Sequence, residues 1–420
     1  LGGVLGILFL IPFRKYFVKD MHGKYPFPEA TATTEVLVSG EKKGNQAKLL
    51  AVSGLIGGLY DFCVSTFGWW AEGISTRIMG WGEVLADKMK VVFKVNTGAA
   101  VLGLGYIIGL KYAAIICAGS FTVWFVLIPF ISHFADGQTL AVGEGITVLL
   151  RDMTPEQIFS NYARHIGIGG IAMAGVIGII RSSSIIKQAL GLAVSELGGK
   201  KKGDGVVERT QRDISMKFIL SGIISVLIAT FVFFQFGVLG NLTHTIIATL
   251  IVFIISFLFT TVAANAIAIV GSNPVSGMTL MTLILSSLVL VSAGLSGTSG
   301  MMAAMIIGGV VCTALSMAGG FITDLKIGYW LGTTPARQEG WKFLGTAVSA
   351  ATIAGVMMVL NQTYGFVGEN ALVAPQANAM AAVIKPLMEG GATPWLLYFA
   401  GAALALILTM IGVPALAFAL

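Results

Sequence analysis

Charge is what this sequence has least of. Asp, Glu, Lys and Arg make up 11% of its 420 residues, against about 25% in a typical soluble domain. So few charges cannot cover a water-facing surface, which excludes a soluble enzyme or a solvated binding module. Cysteine is scarce as well. Cys63, Cys117 and Cys312 stand far apart in apolar surroundings, so they read as small buried residues rather than as a disulfide framework or a thiolate metal site. The four histidines, His22, His133, His165 and His244, form no ligand-spaced pair. Nucleotide and zinc signatures are missing: there is no G-x-x-x-x-G-K-[ST] and no H-E-x-x-H, and Gly103, Gly105 and Gly109 miss the G-x-G-x-x-G spacing. No cofactor, metal or catalysis is therefore expected. Lys and Arg number 26 against 20 Asp and Glu, but no basic run interleaves with aromatics, so nucleic acid has no footprint.

What the chain has is apolar length. Hydrophobic residues reach 56%, mean hydropathy is +0.87 and glycine occurs 54 times. Apolar runs of about 18 residues or more read as transmembrane helices, and abundant glycine suits helices packed closely in lipid. The expected fold class is all-α, a polytopic transmembrane helical bundle with broken or re-entrant helices. It is an integral membrane protein of the plasma (inner) membrane, and the lipid bilayer is its first partner. About ten or eleven hydrophobic crossings are expected. The chain opens at Leu1 inside one apolar run and closes at Leu420 inside another. One membrane domain over residues 1–420, lacking spans at both ends, is the expectation.

Loop charge orients the spans. Residues 181–217 carry eight Lys or Arg against four acids, so this loop is expected in the cytoplasm. Counting spans onward puts 324–342 in the cytoplasm and 361–393 outside, and counting back puts 132–165 outside. Within the span 49–68, Gly54 and Gly58 make a GxxxG pair expected to admit a close neighbour. Asp61 in the same span and Lys111 are charges in apolar sequence; such charges face a cavity or partner, or sit near an interface. Whether the short run 99–110 crosses or re-enters is left open by its length.

Three stretches break the helical monotony. The first, residues 25–37, reads Tyr-Pro-Phe-Pro-Glu-Ala-Thr-Ala-Thr-Thr-Glu-Val-Leu. Pro26 and Pro28 remove two backbone donors, and the helix entered through them presents free N–H groups to whatever lies in front. Glu29 and Glu35 lie about 240° apart around such a helix. The second, residues 265–279, is interrupted by Gly271, Pro274 and Gly277 and offers Ser272, Asn273, Ser276 and Thr279. It is either a substrate platform of half-helix ends or a tight turn capped by Ser272 or Asn273. The third, residues 324–337, reads from its charge as a solvated cytoplasmic loop.

Together these stretches carry a resemblance. Pro26-Phe-Pro-Glu-Ala-Thr-Ala32 looks like the Pro-Phe-Pro-Glu-Gly-Thr-Ala of the oligopeptide transporter (OPT) family. Asn273-Pro-Val-Ser-Gly-Met-Thr279 resembles its Asn-Pro-x-Ser-Gly-Met-Thr, and Lys326-Ile-Gly-Tyr-Trp-Leu-Gly-Thr-Thr-Pro335 is similar to its Lys-Thr-Gly-Tyr-x-x-Gly-x-x-Pro. Ala30 replaces a glycine and Ile327 a threonine. The resemblance implies a proton-coupled secondary transporter for small oligopeptides or peptide-like solutes. The family also holds transporters of metal chelates such as metal–nicotianamine or siderophore complexes, which is the alternative. A passive channel is a further alternative, and assembly as a homo-oligomer stays open. The expected substrate-binding residues are Glu29, Thr31, Thr33, Thr34, Ser272, Asn273, Ser276 and Thr279. For proton coupling Glu35 ranks before Glu29, because a carboxyl in a low-dielectric cavity favours its neutral form. Either acid could instead pair with Lys19 or Lys24.

Overall fold

The computed structural model describes residues 1–41, 45–71, 73–134, 149–197, 208–271, 275–366, 375–390 and 394–414. Among them the helices are α1 Gly2–Leu10, α2 Pro28–Glu41, α3 Asn45–Phe62, α4 Gly80–Lys88, α5 Ala99–Ile108, α6 Leu110–Phe121, α7 Ile128–Phe134 and α8 Pro155–Ile158. There follow α9 Arg164–Leu197, α10 Met216–Phe234, α11 Leu242–Val270, α12 Val275–Ser292, α13 Gly297–Leu331, α14 Pro335–Thr363, α15 Pro375–Glu389 and α16 Trp395–Met410. Two short strands, β1 Gly73–Ser75 and β2 Lys94–Asn96, pair antiparallel. Among the described residues, seven helical stretches are long and apolar enough to cross a membrane, and four shorter apolar helices accompany them. The protein is a helical membrane bundle.

Several helices run past the apolar stretches that announced them. The 35 residues of α13 rise about 52 Å, well beyond a hydrocarbon core of about 30 Å. The expected loop 324–337 is therefore helical as far as Leu331, and the turn to α14 is only a few residues long. Here α13 ends on Gly332 at φ +71, a left-handed cap that lacks a Cβ penalty. Pro335 then opens α14, where its missing N–H leaves nothing unsatisfied. Likewise α9 continues to Leu197 through sequence expected to be loop. Its start is drawn back too: a Thr154–Gln157 capping box opens α8, and one π-type turn carries α8 into α9. Part of the expected external loop 361–393 is α15, whose Ile384 and Met388 join the core.

The chain divides into two compact units. The first comprises Leu1–Tyr25, Gly175–Ala268 and Asn273–Gly391. Its core is built on α1 lying along α13. Gly2 and Gly6 let the α1 backbone approach the carbonyls of Val310 and Ala314; a Cβ at either glycine would collide with those oxygens. Leu5, Ile307, Val311, Leu283 and Ala303 fill the core around this crossing with almost no exposure. Phe9 meets Phe253 and Phe257 edge-on at 5.7 and 5.5 Å, an aromatic geometry that adds to simple burial.

The second unit comprises Pro26–Ala174, Ile269–Ser272 and Ala392–Leu420. Its small core gathers Ile128, Leu150, Met153, Ile158 and Tyr162. Here too glycine sets the closest approach: Gly169 of α9 and Gly401 of α16 face the carbonyls of Tyr398 and Ile166. The short run 99–110 is mostly α5, Ala99–Ile108, which Gly109 at φ +85 breaks from α6. The expected role of Gly54 and Gly58 is not met, since among the described residues nothing lies within 4 Å of a Cβ added to either. Close packing depends on what faces a glycine, which spacing alone does not encode.

The contrast is testable by thermal unfolding of the detergent-solubilised protein. Gly6→Val forces apart two backbones and should cost about 1–3 kcal/mol, as overpacking does. Gly54→Val should leave the midpoint unchanged; equal losses at both positions would contradict this packing.

Candidate substrate and proton site

The first broken stretch folds into a strained turn and a proline-started helix. Phe27 is buried and holds φ +44, a region that side-chain-bearing residues seldom occupy. Pro28 then begins α2 with its φ already helical. Glu29 lies in the first turn, where the positive end of the helix favours an anion.

The hydroxyls do not all point outward. Thr31 Oγ1 donates back to the carbonyls of Pro26 at 3.1 Å and Phe27 at 2.9 Å. Thr34 Oγ1 donates to Ala30 O at 2.7 Å. These bonds lock the turn and leave the oxygen lone pairs, not the protons, for a ligand. Thr33, Glu29 and Glu35 are exposed on α2.

The end of α11 abuts this turn inside the second unit. Gly271 follows the helix at φ +80. A Cβ there would sit 2.6 Å from Pro28 Cγ and 3.6 Å from Glu29 N. Only glycine fits both the dihedral and the gap. Two segments separated by more than two hundred residues thus meet where one helix ends and another begins. Ser272 and Asn273 lie outside the described residues. Ser276 falls in the first turn of α12, so the break is shorter than residues 271–277. Thr279 is buried on α12 in the first unit.

The third stretch overturns its reading as a solvated loop. Lys326 is 1% exposed. Its ammonium donates to Val18 O at 2.7 Å, lies 3.0 Å from His22 Nδ1, and stands 5.1 and 5.2 Å from the rings of Tyr329 and Trp330. A carbonyl and two ring faces stabilise a cation that burial would otherwise penalise. Gly328 has no room for a Cβ beside Gln338 and Thr333, which closes the α13–α14 turn tightly. Charge counting missed Lys326 because it ignored helical phase: Ile322, Leu325 and Tyr329 continue the apolar face of α13 past the point where the run itself ends.

Other charges fall into structural roles. Asp61 accepts from the N–H groups of Ala99 at 2.8 Å and Ala100 at 3.4 Å, capping α5 from another helix. Lys111 is exposed and lies 5.8 Å from the Tyr112 ring. An open groove of about 470 Å³ lined by Phe93, Phe121, Thr122, Phe125 and Val126 offers a peptide almost no polar group. Outside the apolar helices, Tyr25 is half-buried and its hydroxyl is pushed up to about 12, first by burial and then by neighbouring Tyr16.

Comparison with known proteins follows the same residues. The family described as OPT oligopeptide transporter protein matches the chain over residues 1–420. A Haemophilus influenzae protein named "Putative oligopeptide transporter" is 25% identical over 413 residues, covering 91% of this chain. The chain spans 62% of that relative's length.

The Gly271 contact has a direct test. Gly271→Ala places a Cβ against Pro28 at a dihedral that costs about 1–3 kcal/mol for a non-glycine residue. The variant should unfold at lower temperature than the parent. An unchanged midpoint would mean that α11 does not end against the turn of α2.

Proposed function

Because the chain belongs to the OPT oligopeptide transporter family, we propose that it takes part in proton-coupled uptake of small oligopeptides. The family match over residues 1–420 carries the reading. The local chemistry agrees with it. A helix start at Pro28, an adjoining helix end at Gly271 and the side chains of Glu29, Thr31, Thr33 and Thr34 provide the donors, acceptors and dipole ends that a zwitterionic peptide needs. Ser272, Asn273, Ser276 and Thr279 are proposed as substrate contacts in their own right.

Glu35 is proposed as the coupling acid, with Glu29 second. Among the described residues Glu35 has no ion-pair partner, so its charge is not already committed. It lies beyond the turn locked by Thr31 and Thr34, on the same helix as the proposed peptide contacts. Loading a proton there would change the charge that the peptide meets.

Transport by the full-length protein in proteoliposomes provides the test. Labelled tripeptides should accumulate only when an inward proton gradient is imposed. Accumulation of metal chelates in place of peptides would overturn the substrate, and gradient-independent flux would indicate a channel. Glu35→Gln should abolish accumulation while sparing peptide exchange; undiminished accumulation would move the coupling proton elsewhere.

Orientation follows from the charged loops. Cysteines introduced at Lys201 and Glu369 should react with an impermeant maleimide from opposite sides of the membrane. Labelling of both from one side would refute the cytoplasmic assignment of residues 181–217.

A further inference from the structure

The end of α1, the residues leading into α10 and the start of α14 meet at a small polar centre in the first unit. Arg14 is 2% exposed and Glu339 is fully buried. The Arg14 guanidinium engages Asp213 along one edge: Nε pairs with Oδ1, and Nη2 donates to Oδ2 at 3.0 Å. The same Nη2 approaches the Gln211 carbonyl at 3.5 Å. Glu339 Oε2 accepts the Ile214 N–H at 2.8 Å, and Ile214 follows Asp213 directly in the chain. The two carboxyls are therefore neighbours, each in the field of the other and of Arg14. Glu339 Oε1 is sealed from water and has no hydrogen-bond partner among the described residues.

Counting charge exposes the problem. One guanidinium faces two carboxyls, and its Nε–Nη2 edge already serves Asp213. An ionised Glu339 would be a second anion, buried beside a like charge and stabilised by one backbone N–H and by a guanidinium it shares with Asp213. Burial and like-charge proximity both disfavour that state. A proton on Oε1 removes the excess charge and gives the orphaned oxygen a hydrogen to donate, with Asp213 as the acceptor beside it.

The other charged groups nearby have their own partners or face water. Arg209 donates to Thr334 Oγ1 at 2.9 Å and Gly332 O at 3.0 Å. Lys342 pairs with Asp324 at 2.6 Å, and Lys326 is held by Val18 O and His22. Arg212, Lys217 and Arg337 are exposed. Among the described residues none of these bonds Glu339 or Asp213.

We propose that Glu339 and Asp213, clamped by Arg14, form a proton-binding site in which Glu339 holds the proton. Nothing in this assignment requires the transport reading. The site sits beneath a clasp between two segments: the Ala336 N–H donates to Arg212 O at 3.0 Å, and Arg209 grips the α13–α14 turn. Loss of the proton sets two anions against one guanidinium. Their repulsion pushes Asp213 and Glu339 apart and loosens residues 208–215 from α14. Proton binding at this centre thus sets how firmly the entry to α10 is fastened to the α13–α14 turn.

Infrared difference spectroscopy of the full-length protein in liposomes, titrated with pH and without substrate, reads the proton directly. The parent should show the C=O stretch of a protonated carboxyl at neutral pH. Glu339→Gln mimics the neutral acid, can still accept from Ile214 N–H, and should lose this band. Asp213→Asn frees Arg14 to neutralise Glu339, so the band should disappear there as well, although Glu339 remains. Persistence of the band in either variant, or its absence from the parent, would overturn the proposal.

Discussion

A peptide group inside hydrocarbon has no water to turn to. Every N–H and C=O at that depth must find its partner in the protein, and this requirement shapes the bundle more than any side-chain contact does. It keeps the chain helical across long stretches, and it makes each helix end a special place. At the start of α2 and at the turn from α13 to α14, proline removes a donor that would need a partner, left-handed glycine turns the chain so that the following N–H groups bond back to the helix, and a threonine hydroxyl donates to free carbonyls. Two of the three family-like motifs lie in these stretches.

Because lipid offers no hydrophobic drive for helices to associate, closeness must supply the attraction. In the first unit Gly2 and Gly6 bring α1 against the α13 backbone, and α13 in turn carries Lys326 to Val18 and His22. In the second unit Gly169 and Gly401 do the same for α9 and α16. Each crossing places carbonyls near a neighbouring helix, so a methyl group at the wrong glycine would disturb more than local packing. The long α13 links these features, since one helix contributes the crossing, the caged lysine and the capped turn.

Charge in this protein is rare, and several of the described charges hold structural posts. Asp61 caps α5, Lys342 pairs with Asp324, and Arg77 pairs with Glu156 at 2.8 Å. Against that background Glu339 stands apart, because it is buried in a cluster whose charges do not balance. Glu35 stands apart differently, on an exposed part of α2 with no ion-pair partner among the described residues. In the two proposals a proton acts in distinct ways: at Glu35 by changing the charge beside a bound peptide, at Glu339 by tightening a fastening between helices.

The sequence alone determined the membrane environment, the helical class and the breaks at Pro28 and Gly271, because each follows from local composition: apolar length, proline, glycine. It also carried the family, through three short motifs. Tertiary structure decided which of those signals meet. The loop reading of residues 324–337 failed because charge counting ignores helical phase, and Lys326 lies on a face that stays apolar after the run ends. Gly54 and Gly58 have packing spacing but no partner among the described residues, whereas Gly271 showed no such spacing yet lies against Pro28. Arg14, Asp213 and Glu339 are scattered over more than three hundred residues, each unremarkable in its own window. Arg14 and Glu339 are buried together, with Asp213 partly exposed beside them, only when the segments after α1 and before α10 meet the start of α14, and no local pattern in a chain records which distant segments will come together.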